Sequence, residues 1–186
     1  MNELSIAKNH FNELIKLIDL FDYDAIEMIA QRLKLAMEQE ASIFVGGNGG
    51  SATIALHYAT DWTKGVFEKK GKGLRTFPLN ANPGLNTAIA NDISYESSLS
   101  FQLQALGKKD DLVVLVSSSG NSKNIIDAAI VARKLRMPII GISGFGDSNL
   151  VKLSDYSFTI NSTNMQLIED LHGIIGHLIY LSLIEG

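Results

Sequence analysis

The chain contains no cysteine, so it has no disulfide framework, no thiolate metal site and no cysteine nucleophile. That absence fits a reducing compartment. A long unbroken apolar run is also missing: the most hydrophobic stretch, Leu171–Leu183, is interrupted by His172, Gly173, Gly176 and His177 and reads as too short to span a bilayer. Glu3, Lys8 and Glu13 break up the apolar residues near the start, which is not the pattern of a signal peptide. Neither sign of charge dominates: 16 Lys and Arg face 20 Asp and Glu, a formal net charge of −4 with the two signs mixed. Such a chain carries no electrostatic footprint for nucleic acid. These absences predict a cytoplasmic protein with neither a nucleic-acid nor a membrane partner.

What is present is globular. Hydrophobic residues make up 46% and charged residues 19% of 186 positions, enough for one domain with a full core and short for two. Residues 2–20 place Leu4, Phe11, Leu14, Ile15 and Ile18 at helical spacing. Asp24 is placed to cap a second helix through Glu40, with Ile26, Ile29, Ala30, Leu33 and Met37 as its apolar stripe. These leading helices, residues 1–40, have no sheet of their own to cover, so they are expected to contact another subunit. Strands follow at Ile43-Phe44-Val45, Leu74–Leu79, Leu112–Val116, Met137–Ile142 and Tyr156–Ile160. Pro78 marks the second as an edge or an end, and LVVLV reads as a strand buried on both faces. Helices are expected after the glycine-rich loop at 46–51, after the turn Asn82-Pro83-Gly84, over Tyr95–Leu106, over Lys123–Leu135 and over Asn164–Ile184. The alternation predicts one domain over 1–186, α/β, with a mainly parallel sheet covered on both faces.

Two loops follow strands and precede helices: Gly46-Gly47-Asn48-Gly49-Gly50-Ser51 and Ser117-Ser118-Ser119-Gly120-Asn121-Ser122. The glycines free the backbone for close approach to a ligand, and Ser51 is placed to cap the next helix, whose N–H groups suit an anion. Neither loop holds a cation, so its hydroxyls and N–H groups suit a sugar phosphate held by neutral donors. The plainer reading makes them ordinary small-residue turns; two at equivalent strand ends argue against it. Gly47-Asn48-Gly49-Gly50-Ser51-Ala52 also matches a dinucleotide fingerprint, but Asn80 stands where an acidic residue is needed after the next strand. A Walker loop is excluded because no Gly-Lys-Ser/Thr follows. His57 and Asp61, four apart, share a face of the helix after the first loop, and Glu169, Gly173 and His177 form one stripe of the last helix. If the two helices met, two histidines and two carboxylates would cluster, able to bind Zn²⁺ or another divalent metal or to act directly as acid and base. Spacing alone does not force that meeting. His172 is read as structural.

The order of strand, GNGGS, His57-bearing helix, Asn91-Asp92, SSSGNS and a histidine-bearing last helix resembles the sugar isomerase (SIS) domain, and more closely the phosphoheptose isomerases. The resemblance covers nearly the whole chain. It implies a three-layer, flavodoxin-like sandwich with a five-stranded, mainly parallel sheet and two leading helices. It further implies sugar-phosphate binding at Asn48, Gly49, Gly50, Ser51, Asn91, Asp92, Ser117, Ser118, Ser119, Ser122 and Glu169. Zinc would sit on His57, Asp61, Glu169 and His177, with Asp61, His177 and Glu169 catalytic. The implied reaction is isomerisation of sedoheptulose 7-phosphate to D-glycero-D-manno-heptose 7-phosphate through an enediolate, in a homotetramer with sites between subunits, serving lipopolysaccharide or capsule synthesis. Two positions depart from the family pattern. Asp61 stands for a glutamate and is shorter by about 1.5 Å of reach; Glu169 stands for a glutamine and adds a negative charge. An isomerase for a related sugar phosphate, or a non-catalytic SIS protein that binds phosphosugars or the replication initiator, is the alternative.

Overall fold

The computed structural model describes residues 3–185. Its sheet contains β1 (Ser42–Gly46), β2 (Arg75–Pro78), β3 (Leu112–Ser117), β4 (Ile139–Ser143) and β5 (Tyr156–Thr159), all parallel, in the order β2-β1-β3-β4-β5. Every residue of β3 is buried, as an apolar run in the middle of a covered sheet must be. β2 lies at the edge and ends at Pro78, where a missing N–H is tolerated.

Helices α1 (Glu3–Ile18), α2 (Tyr23–Glu38), α3 (Gly50–Thr60), α4 (Val66–Lys70) and α9 (Met165–Glu185) cover one face. Helices α6 (Ser100–Leu106), α7 (Lys123–Leu135) and α8 (Asn149–Leu153) cover the other, and α5 (Pro83–Asp92) follows β2. The period of two along the strands feeds both cores. Ile43, Val45, Val114 and Val116 point to the first layer, while Phe44, Val113 and Leu115 point to the second.

Local capping chemistry moved several boundaries. Asp22, not Asp24, caps α2, accepting from the Ala25 N–H at 2.9 Å. Ser51 is not a cap: Gly49 occupies that position with φ +54°, so α3 starts at Gly50 and Ser51 is buried in its first turn. The segment read as one helix over Tyr95–Leu106 divides into a 3₁₀ turn, Tyr95–Ser97, and α6, because the Ser94 hydroxyl captures the Ser97 N–H at 3.2 Å.

Helix α9 has the length expected for it and extends beyond the apolar run Leu171–Leu183 at both ends. Its 21 residues include an 18-residue stretch of mean hydropathy 1.4, which meets the length and composition of a bilayer-crossing helix. It packs instead as a core helix, with Leu167, Ile168, Leu171, Ile175, Ile179 and Leu183 buried against the sheet and α2.

Candidate active site

The strand order reverses direction between β1 and β3, and the two glycine- and serine-bearing loops leave the carboxyl ends of those strands. They meet in a groove of about 300 Å³ lined by Asn48–Ser51, Ser117–Ser119, Ser122, Met165 and Glu169, with no lysine or arginine among them. Gly47 must be glycine: a Cβ there would stand 2.6 Å from the Ser51 main chain, and its N–H donates to Asn80 Oδ1 at 3.1 Å. Ser118 is buried and Ser119 exposed, so the serine loop offers both a fixed floor and a free hydroxyl. Larger hollows exist, one of about 450 Å³ between α2 and α9, but no pair of strand-end loops converges on it.

At the other end of α3, His57 Nε2 stands 2.9 Å from His177 Nε2, and Asp61 Oδ2 lies 3.3 Å from the first and 3.8 Å from the second. Two features make this meeting. Gly176 lets α9 press onto the ring of Tyr58, the residue after His57, whose hydroxyl donates to the His172 carbonyl. Asp61 opens a π turn, Asp61–Gly65, that carries α3 into α4. Donor atoms of His57, Asp61 and His177 all lie within 4.8 Å of one another. A tetrahedral zinc with arms near 2.0–2.1 Å separates its ligand atoms by about 3.3 Å. The observed separations bracket that value, and two imidazoles with one carboxylate are a usual catalytic donor set with a position left open.

Glu169 is not part of this cluster. It lies eight residues from His177, roughly 12 Å along the helix axis, and its carboxylate turns toward Gly50, where a Cβ would meet it at 2.3 Å. It therefore lines the loop groove at the α3 N-terminus. Asn91 and Asp92 are exposed at the end of α5, bonded to each other at 2.9 Å, and do not line the groove. His172 is fully buried. Burial pushes its imidazole down to about 4, against a smaller upward pull from the Ser143 backbone. Burial likewise raises the Tyr58 phenol.

Sequence reading passed over Asn124 and Tyr95. Both bond to the Asn48 side chain at 2.8 Å. A polar residue two places beyond Ser122, in the first turn of α7, was the available signal for Asn124; nothing local marked Tyr95.

The SIS domain model matches residues 9–144. A phosphoheptose isomerase of Helicobacter pylori (strain HPAG1) is 36% identical over 143 residues, covering 77% of this chain and 74% of that protein. A probable phosphoheptose isomerase of Thermoplasma acidophilum is 34% identical, covering 93% of this chain and 94% of the relative. Among solved structures, a phosphoheptose isomerase from Francisella tularensis superposes with TM-score 0.92 at 25% identity over 100% of both chains. One from Neisseria gonorrhoeae superposes with TM-score 0.88 at 26% identity over 98% of each. With these sequence and structural likenesses, and with both strand-end loops and the His–Asp–His cluster in place, the chain belongs to the SIS domain family, in its phosphoheptose isomerase branch.

Proposed function

We propose that the protein is an aldose–ketose isomerase converting sedoheptulose 7-phosphate to D-glycero-D-manno-heptose 7-phosphate, a step of heptose supply for lipopolysaccharide or capsule. The observation that carries this is the pairing of a donor-rich groove, free of lysine and arginine, with a His–Asp–His cluster seven residues along α3. Seven helical residues span roughly 10 Å. Sedoheptulose 7-phosphate, extended, places its carbonyl carbon roughly 9 Å from phosphorus. The length of the substrate thus supports phosphate in the groove and the reacting end at the cluster.

In this reading Ser117, Ser118, Ser119 and Ser122 with the N–H groups of Asn48, Gly49, Gly50 and Ser51 hold the phosphate. Asp61 turns Oδ2 to the histidines. Its Oδ1 accepts the proton from C1 and returns it to C2. His177, where its Nε2 is free of metal, passes the second proton between the two oxygens, so ketose and aldose differ only in where two hydrogens reside. His57, Asp61 and His177 would hold zinc, which when bound stabilises negative charge on the enediolate oxygens. Glu169, with its carboxylate at the groove, is assigned to accept hydrogen bonds from sugar hydroxyls rather than to bind the metal. Asn91 and Asp92, outside the groove, are assigned to a substrate contact completed between subunits. The protein works in the cytoplasm as a homotetramer of one-domain chains. Its contacts use α1 and α2, whose Leu4, Phe11, Ile15, Met28 and Leu35 are exposed at helical spacing.

The test is an NMR assay of the zinc-loaded protein with sedoheptulose 7-phosphate beside an Asp61→Ala variant. Aldoheptose phosphate formed by the first and not by the second is the expected result. A folded, metal-loaded protein without turnover would sink the assignment and favour a non-catalytic binder.

A further inference from the structure

Asn48 reaches from the β1 loop across the strand-order reversal, and its amide is gripped on two sides. Its Nδ2 donates to Asn124 Oδ1 at 2.8 Å, and its Oδ1 accepts from Asn124 Nδ2 and from the Tyr95 hydroxyl, each at 2.8 Å. Asn124 is 2% exposed in the first turn of α7, and among the described residues its side chain bonds only to Asn48. A buried amide is expensive unless satisfied, and an apolar residue would fill the same space without that requirement. Asn124 does not cap α7 either: Ser122 stands at the N-cap position, and the Asn124 amide turns to Asn48.

We infer that Asn124 is a positioning residue: the reciprocal Asn48–Asn124 pair fixes the orientation of Asn48 and the separation of the two ligand loops before substrate arrives. The chemistry presented to the ligand follows. An asparagine amide has two acceptor lone pairs and two donor hydrogens. Both lone pairs and one hydrogen of Asn48 are committed. What remains is a single N–H, so Asn48 meets the ligand only as a donor and recognises an acceptor oxygen of a phosphate or sugar. Without Asn124 only the Tyr95 hydroxyl holds the amide, and a turn of its carbonyl toward the phosphate, which repels it, is opposed by one bond instead of three. Tyr95, 57% exposed, ties the segment after α5 to the same amide.

The inference rests on the groove being the sugar-phosphate site, and a double-mutant cycle tests it. Asn48→Ala, Asn124→Ala and the double variant are compared by calorimetric Kd for sedoheptulose 7-phosphate and by KM and kcat. Each single change is expected to weaken binding about tenfold, the worth of one good hydrogen bond. KM rises more than kcat falls. The double variant binds no worse than Asn48→Ala, because Asn124 acts through Asn48. Multiplying single effects, or wild-type Kd in Asn124→Ala, would overturn it. Should Asn124→Ala not fold, Asn124→Ser keeps a polar group there and carries the same expectation. Binding without turnover in the wild type defeats the isomerase reading while the cycle is still read in Kd. No binding defeats both.

Discussion

Gly176 and Tyr58 touch so closely that a methyl group on the glycine would stand 2.0 Å from Tyr58 Cε1. Tyr58 is fixed in turn: it stacks on Trp62 with ring centroids 5.0 Å apart, and both rings are buried. This one contact sets the distance between α3 and α9, and so brings His57 to His177. A Gly176→Ala variant gains about 1 kcal/mol of helix propensity and loses more, roughly 1–3 kcal/mol, to overpacking. A lowered Tm is expected, with zinc affinity reduced at least tenfold as the histidines part. Unchanged zinc affinity in a folded variant would show that the crossing does not set the cluster.

Removing a donor tests the cluster itself. His57→Ala and His177→Ala are each expected to weaken zinc binding by two orders of magnitude or more, since three protein ligands fall to two. Inductively coupled plasma mass spectrometry after dialysis against a chelator reads the stoichiometry. Stability hardly changes, because both side chains are exposed.

Glu169 offers a sharper contrast. If its place is the groove, Glu169→Gln leaves zinc affinity within about twofold and lowers KM for the dianionic substrate by roughly threefold, since one nearby negative charge is gone. A drop in zinc affinity of tenfold or more would return Glu169 to the metal set.

The buried His172 makes stability depend on pH. Its folded value is about 4, below the ordinary 6.5, so the unfolded chain binds more protons between those two values. Stability is therefore full above about pH 6.5, falls as pH drops toward about 4, and is lost by on the order of 3 kcal/mol in all. Urea unfolding of wild type and His172→Gln at pH 7 and pH 4.5 checks this. The wild type should lose more stability than the variant between the two. Equal losses would contradict it.

Much of this molecule was legible from the residues alone. LVVLV had to be a buried strand, Pro78 an edge or an end, and the two glycine- and serine-rich segments loops between strand and helix, because hydrophobic period and backbone freedom act over a few neighbouring residues. The pairing of His57 with Asp61 followed from 3.6 residues per turn. Short-range rules failed where two local options competed, as when Asp22 rather than Asp24 capped α2 and Gly49 displaced Ser51 from the cap. They were silent where separate elements meet. That Gly176 would let α9 settle on Tyr58, that Glu169 would turn to Gly50 instead of joining His177, and that Asn124 would answer Asn48 from 76 residues away depend on how the twisted sheet aims its helices and which small residues let them approach. Sequence periodicity assigns each side chain to a face of its own element; only packing decides what that face meets.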